Sequence, residues 1–478
     1  MTASDKTVFP DDALLGRFAA IVGDAHALRD PDDIDPYVHE LRGLFPGRSG
    51  LVLRPATTDE VSRILALATE TGTPVVPQGG NTGLVGAGTP DASGRQIVVS
   101  LSRLNRIREI DVTSNTMTAE AGAILQVLRE HADDHDRLFP LSLASQGTCQ
   151  IGGNLSSNAG GTGALAYGVA RDLCLGLEVV LPTGEVLDDL RKLKKDNTGY
   201  DLKDLFIGAE GTLGIITAAV LKLFPKPRGR EVSWIGLTDP GVALRLFERA
   251  SAAAGPGLTA FELMHARPLD FVLRHIPGTR APLSGGHEWH VLMEISSGRS
   301  AEDARTLAEA ILEDALGAGL IDDAVIAESD AQTEALWHLR ESMAEAQRPE
   351  GASIKHDISV PVSAIPEFIA RADKAVMTVD AGSRITCFGH MGDGNLHYNV
   401  SQPAGGDRAA FLAKYRAMND AVHAVVRSLD GSISAEHGIG VMKRDELAAT
   451  APPVALDLMR RIKTAFDPAG IMNPGKIL

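Results

Sequence analysis

The sequence predicts an α+β protein of two domains, and three observations carry that prediction. Strand-like runs alternate with amphipathic helical runs along the chain, in no strict βα order. A basic, turn-rich segment, PKPRGR at 225–230, separates two blocks that each contain both kinds of run. The length, 478 residues, also exceeds the size at which one hydrophobic core usually stops growing. With 44% hydrophobic and 23% charged residues, the composition is that of an ordinary globular chain, and no repeat or low-complexity tract interrupts it.

In the first block, residues 50–88 read as strand, capped helix, strand and glycine-rich loop. Thr57 or Thr58 suits the N-cap, and Val61, Ile64, Leu65 and Ala68 recur at helical spacing. Further strands are expected at 96–100, 117–121, 177–181 and 215–223. In the second block, REVSWIGL at 230–237 opens a series of strands that continues at 289–295 and 384–388. Helices are expected at 301–318 and 331–347. The end, DLMRRIKTAFDPAGIMNPGKIL, reads as a helix stopped by Asp467 and Pro468, then a tail that returns to the first domain.

A formal net charge of -16 repels phosphate backbones and anionic lipid surfaces, which argues against nucleic acid or membrane as the main partner. An anionic substrate would need local cations to overcome that field. The three cysteines, Cys149, Cys174 and Cys387, form no CxxC pair, so neither a disulfide framework nor a thiolate metal site is expected. The N-terminus, MTASDKTVFPDDALLGRF, carries no apolar or Arg-rich leader, and no apolar run nears the ~20 residues that span a bilayer. The expectation is a soluble, cytoplasmic protein.

Three glycine-rich segments point to a phosphate-bearing ligand. PQGGNTGLVGAG at 77–88 follows a strand, and its glycines let backbone N–H groups converge on an anion; taken alone, it reads equally as a wide turn. SQGTCQIGGNLSSNAGGTGALAYG at 145–168 and FIGAEGTLGIIT at 206–217 repeat the pattern. A dinucleotide such as FAD needs this close backbone approach at its pyrophosphate and at its ring. Neither GxGxxG opening a helix nor GxxxxGK[ST] is present, which disfavours NAD-dependent enzymes and P-loop nucleotidases.

GHMGDGNLHYN at 389–399 sets His390 and His397 on either side of a Gly-Asp-Gly turn, and SISAEHGIG supplies Glu436 and His437. A His2Glu set can hold zinc with a position open for substrate, although separated histidines are also common as structural groups. In AQTEALWHLRESMAEAQ, Leu336, Leu339 and Met343 form a helical face that Arg340 adjoins. Arg340 suits a carboxylate ligand, or else an ion pair with a neighbouring glutamate such as Glu345.

Taken in order, these glycine segments together with KDNTGYDLKDLFIGAEGTLGIIT, GHMGDGNLHYN, SAEHGIG and the terminal DPAGIMNPGK resemble the vanillyl-alcohol-oxidase-type (PCMH-type) FAD flavoproteins. Within them the chain resembles the D-2-hydroxy-acid dehydrogenases, the D-2-hydroxyglutarate type above all. The resemblance implies an N-terminal segment, 1–45, packed on a two-lobed FAD-binding domain, 46–228. It also implies an α/β cap domain for substrate, 229–430, and a C-terminal segment, 431–478, that completes the FAD site. Pro77, Gly79, Gly80, Asn81, Thr82, Gly83 and Leu84 would wrap the pyrophosphate, and Gly147, Thr148, Gly152, Asn154, Ser157, Glu210, Ile216 and Asn473 would line the rest. No histidine lies in either loop, so the FAD is expected to be non-covalent, with Cys149 leaving attachment open.

The resemblance further implies a divalent metal, taken as Zn2+, on His390, His397 and Glu436, with His437 as the base. Arg340 and Lys355 would bind the near and distal carboxylates, and Asn399 would hydrogen-bond the substrate unless it is simply a strand-edge amide. Oxidising a secondary alcohol moves a hydride from Cα, here to flavin N5, and a proton from the hydroxyl. A metal lowers that hydroxyl pKa and a neutral imidazole accepts the proton near physiological pH. D-2-hydroxyglutarate is the expected substrate, with D-malate or D-lactate as alternatives, because Ala344 and His356 replace a threonine and an aromatic of the family. The implied acceptor is an electron-transfer flavoprotein or a quinone, and a homodimer is expected. A zinc hydrolase and a non-catalytic FAD-binding module are the rivals from other classes; the first would be colourless, the second yellow but never bleached by a hydroxy acid.

Overall fold

Thr57 caps the helix Thr58–Thr71, its extended backbone leaving the side-chain oxygen to accept the N–H of Glu60, and Gly72 ends it at a left-handed φ of 65°. Val61, Ile64, Leu65 and Ala68 are buried along one face, as the 3.6-residue period requires. The computed structural model describes residues 10–478, so residues 1–9 of the expected N-terminal segment lie outside the described residues.

The described chain forms two units. One comprises the residues up to Gly160 together with Val169–Pro225 and Glu436–Leu478; the other comprises Gly161–Gly168 and Lys226–Ala435. The first unit has two main sheets, as a two-lobed domain should. A four-stranded sheet runs in the order Ala27–Leu28, Val52–Leu53, Ile97–Ser100, Val75–Gln78, its last three strands parallel. A five-stranded antiparallel sheet runs Ile107–Asp111, Thr116–Glu120, Ile215–Lys222, Cys174–Val180, Val186–Asp189. The strands at Val52–Leu53, Val75–Gln78, Ile97–Ser100, Thr116–Glu120, Cys174–Val180 and Ile215–Lys222 match the expected positions within a few residues, while Ala27–Leu28, Ile107–Asp111 and Val186–Asp189 were not expected.

The C-terminal tail completes this unit. The helix Pro453–Phe466 stops where Asp467, fully buried, turns its carboxylate to the N–H groups of Ile471 and Met472 and to the Lys463 ammonium. The tail then lies along the strand Val75–Gln78: the Val75 N–H donates to Ile471 O, and the Asn473 N–H donates to Val75 O, both at 2.8 Å. An otherwise open strand edge is thereby paired.

The second unit is built on one eight-stranded antiparallel sheet. Its order is Asp323–Ile326, Gly229–Leu237, Trp289–Ser297, Leu258–His265, Arg384–His390, Asn395–Ser401, Ser353–Ile354, with Asp357–Ser359 also paired to Asn395–Ser401. Side chains alternate between two faces. Ile235, Leu263, Val291, Cys387 and Tyr398 enter one core with the helices Pro240–Ala254, Ala301–Gly317, Ile365–Val379 and Tyr415–Ser428. Trp234, Met264, Leu292 and Phe388 enter the other with the helices Ala266–His275 and Asp330–Glu341. The last of these helices ends six residues before the expected limit of 347, because beyond Ser342 the chain tightens into turns, the Met343 N–H reaching Arg340 O at 3.4 Å.

Candidate active site

The glycine segments of the first unit meet backbone to backbone. A Cβ on Gly80 would fall 2.1 Å from Thr148 O, and one on Gly211, at φ 70°, would fall 2.5 Å from the Pro77 ring. Side chains there would push the loops apart. Between the loops lies an open cavity lined by all three glycine segments. Of the expected contacts, Pro77, Gly79, Gly80, Asn81, Thr82, Gly83, Gly152, Asn154, Ser157, Glu210 and Ile216 line it, and so does His437. Leu84, Gly147, Thr148 and Asn473 do not; Gly147 and Thr148 are exposed, and Asn473 is buried.

The lining suits a dinucleotide. A Cβ on Gly83 or Gly153 would meet nothing within 4 Å, so backbone is bared to the cavity there. Gln150 is 8% exposed and its Oε1 has no hydrogen-bond partner among the described residues, leaving an acceptor for a ligand donor. Gln78, Gln150 and Gly214 also line the cavity; each lies inside one of the three glycine segments, where no pattern distinguishes it from its neighbours. Cys149 also lines the cavity, with burial pushing its thiol pKa up, which opposes thiolate chemistry.

Glu210 is part of the wall, and Asn473 braces it. The Glu210 carboxylate accepts the N–H groups of Ile439 and Gly440 at 2.7 and 2.8 Å, and burial raises its pKa more than these donors lower it. The Asn473 amide donates to Ala87 O and to Glu210 O. The loop that carries Glu436 and His437 is thus tied to the FIGAEGTLGIIT segment. Both of those side chains are half-buried.

In the second unit, the expected hairpin forms: His390 ends one strand, Asn395 opens the next, and His397 faces Phe388 in the register. His390 and His397 lie on the same face, ring centroids 5.8 Å apart, with coordinating atoms within 4.8 Å of each other. Asp357, paired with His397 in the register, brings its carboxylate 4.0 Å from His397 Nδ1. Glu262, unremarked in the sequence, is the centre of this face. Its Oε1 accepts from His390 Nδ1 at 2.7 Å, and its Oε2 accepts from Arg340 Nε at 2.8 Å. Burial would raise the Glu262 pKa, but its pairing with His390 and Arg340 outweighs burial and holds the carboxyl at about 2. The two imidazoles and adjoining carboxylate suit a divalent cation such as zinc.

Arg340 is 6% exposed, its guanidinium carbon 4.9 Å over the Phe388 ring. Its ion partner is Glu262, not Glu345. Asn399 is buried, on the strand positions that alternate onto the His397 face. Lys355 is half-buried, between the short strands Ser353–Ile354 and Asp357–Ser359. The two departures from the family fall elsewhere. His356 turns to the opposite core, with Nδ1 2.8 Å from Tyr398 O and its ring against Tyr398 and His423, while Ala344 is exposed.

Comparison with known proteins identifies the fold and the family. Residues 50–189 match the model of an FAD binding domain, and residues 226–477 match that of the C-terminal domain of FAD linked oxidases. The fold is shared with p-cresol methylhydroxylase (TM-score 0.75, 16% identity, covering 98% of this chain and 96% of that one). It is shared also with alkyldihydroxyacetonephosphate synthase (TM-score 0.74, 18% identity, covering 99% and 86%). The chain is an FAD-binding flavoprotein and belongs to the FAD-linked oxidases. Within them it belongs to the D-2-hydroxyglutarate dehydrogenase family: it is 38% identical over 451 residues to the mitochondrial enzyme of that name from Bos taurus, covering 94% of this chain and 81% of the relative. It is 37% identical over 461 residues to the Arabidopsis thaliana one, covering 96% and 80%. A Saccharomyces cerevisiae relative, named D-2-hydroxyglutarate–pyruvate transhydrogenase, is 35% identical over 473 residues, covering 97% and 94%.

One expectation is corrected. The chain was expected to be cytoplasmic, but the Bos taurus and Arabidopsis thaliana relatives are named mitochondrial. Apolar and basic content at the start of a sequence does not by itself define a compartment, and residues 1–9 lie outside the described residues. Among the described residues, no helix is long and apolar enough to cross a membrane.

Proposed function

We propose that this protein oxidises D-2-hydroxyglutarate to 2-oxoglutarate as an FAD-dependent dehydrogenase. The observation that carries the proposal is 38% identity over nearly the whole chain to an enzyme of that name, joined to a glycine-lined cavity suited to FAD. FAD, when bound, accepts the hydride from the substrate Cα. The chain supplies binding, orientation and proton transfer.

Arg340 takes the carboxylate beside the reacting carbon, supported by its place with His390 on one face of the sheet. Lys355 takes the distal carboxylate, which favours a dicarboxylate over D-lactate, and D-malate is the next substrate to test. A divalent metal, best Zn2+, when bound would lower the pKa of the substrate hydroxyl. His390 and His397 suit it by their mutual placement, and the family resemblance names Glu436 as the third ligand. His437 receives the hydroxyl proton as a neutral imidazole. Asn399 hydrogen-bonds the substrate. The FAD is held non-covalently, since burial keeps Cys149 a thiol.

The electrons leave to an electron-transfer flavoprotein or a quinone. The name of the Saccharomyces cerevisiae relative favours one further acceptor to test, a 2-oxo acid such as pyruvate. A homodimer is proposed by family analogy alone.

The deciding experiment is anaerobic titration of the purified protein with D- and L-2-hydroxyglutarate, D-malate and D-lactate, followed in the flavin band. Bleaching by D-2-hydroxyglutarate at the lowest concentration is expected. A band that none of the four bleaches would refute the proposal, and a preference for D-malate or D-lactate would reassign the substrate.

A further inference from the structure

We infer that Glu262 is a positioning residue that sets His390 as a metal ligand and ties it to the substrate-binding Arg340. The inference rests on the reading of His390 as a ligand. Glu262 and His390 are directly paired across adjacent antiparallel strands, Leu258–His265 and Arg384–His390, so sheet register alone brings the carboxylate to the imidazole. Glu262 is 1% exposed and His390 8% exposed, and Oε1 stands 2.7 Å from Nδ1.

An ionised carboxylate can only accept, so Nδ1 carries the proton and Nε2 keeps its lone pair. That tautomer offers Nε2 outward as a ligand, and the carboxylate behind it raises its basicity. The other carboxylate oxygen holds Arg340, with Nε at 2.8 Å and Nη2 at 2.7 Å. One buried anion therefore fixes both the ring that would face the metal and the cation that would face the substrate carboxylate. A buried carboxylate shared in this way is more than charge balance for Arg340: an ion pair would satisfy the arginine without the bond to His390.

Replacing Glu262 by glutamine tests the geometry. The amide can present its NH2 to Nδ1, which forces the proton onto Nε2 and removes the ligand lone pair. Zn2+ affinity of the metal-stripped, FAD-loaded full chain, measured by competition with a chromophoric chelator, is expected to fall ~10–100-fold in Glu262→Gln. The flavin spectrum should be unchanged. Because Glu262→Gln leaves Arg340 buried without its counter-charge and can fail to fold, the double variant Glu262→Gln/Arg340→Met is measured beside it. It removes both charges and should show the same loss of Zn2+ affinity.

His390→Ala separates the two readings. If His390→Ala weakens Zn2+ binding and the double variant does not, the role of Glu262 is overturned and His390 stands as a ligand. If His390→Ala itself binds Zn2+ as the parent does, the ligand reading fails and the inference with it.

Discussion

The carboxylate of Glu210 accepts the backbone N–H of Ile439 at 2.7 Å, two residues beyond His437, and its second oxygen takes the N–H of Gly440 at 2.8 Å. A single buried side chain from a glycine segment thus holds the loop that presents the proposed base. Truncating it to alanine leaves both N–H groups unsatisfied, at a cost of about 1–3 kcal/mol each. Glu210→Ala should therefore melt several degrees lower by circular dichroism and lose turnover out of proportion to its FAD content. Glu210→Gln, which keeps one acceptor, should fall between it and the parent. Parent-like melting and kcat in both variants would remove Glu210 from this role.

Two glycines of the cofactor cavity should respond in opposite ways. A Cβ on Gly80 would lie 2.1 Å from Thr148 O, so Gly80→Ala must separate the loops and should destabilise the apoprotein by roughly 1–3 kcal/mol. A Cβ on Gly153 meets nothing within 4 Å, so Gly153→Ala should leave apoprotein melting intact while weakening FAD binding. Thermal melts and FAD titration of the two apoproteins compare them. Equal destabilisation by both would mean that the cavity is not where Gly153 points.

What the sequence made legible, and what it did not, follows from how local each signal is. The strand Trp289–Ser297 and the helix Thr58–Thr71 announce themselves because their periods of 2 and 3.6 are written in consecutive residues. The pair His390 and His397 was legible because one tight turn separates them, and the hairpin register follows from it. Glu262 was not legible. It lies 128 residues before His390 inside the apolar run AFELMH, and only the sheet order, a tertiary property, pairs the two. The association of Gly161–Gly168 with the second unit is equally silent, since those residues continue a glycine segment of the first. Lys355 carries no local pattern either, and its proposed role comes from family resemblance alone.

Lys355→Met should discriminate among substrates. If its ammonium meets the distal carboxylate, kcat/KM for D-2-hydroxyglutarate should fall by about 10–100-fold, the ~1.4–3 kcal/mol of a charge-assisted hydrogen bond. D-lactate, which has no distal carboxylate, should change little. Equal losses for the two substrates would show that Lys355 does not read the far end of the molecule.

The tail offers a dependence on pH. Lys476 is 5% exposed with its ammonium donating to Thr89 O, and burial, against the pull of Asp91 and Glu210, lowers its pKa to about 8. A lysine whose folded pKa is depressed contributes stability that is present above its unfolded pKa, near 10.5, and is lost as pH falls through about 8. Keeping the charge buried at neutral pH thus costs on the order of 1–3 kcal/mol. Lys476→Met should compare better with the parent at neutral pH than near pH 10.5, as followed by melting across that range. A difference that does not change with pH would mean the ammonium is well solvated.

His437 decides the chemistry of proton transfer. It lines the cofactor cavity, is half-buried, and belongs to a loop whose backbone Glu210 holds through the N–H groups of Ile439 and Gly440. Its removal should therefore leave the loop, the FAD spectrum and the metal content close to those of the parent. The loss should be confined to the step in which the hydroxyl proton is taken, and a general base contributes ~10²–10⁴-fold. His437→Ala is expected to bind D-2-hydroxyglutarate, seen as a perturbed flavin spectrum, yet to bleach ~10²–10⁴-fold more slowly in anaerobic stopped flow. The acid limb of the parent's pH profile, where the imidazole becomes protonated, should vanish from whatever rate remains. A variant that bleaches at the parent rate with that limb intact would assign the proton to another group, and the role of His437 would reduce to shaping the cavity wall.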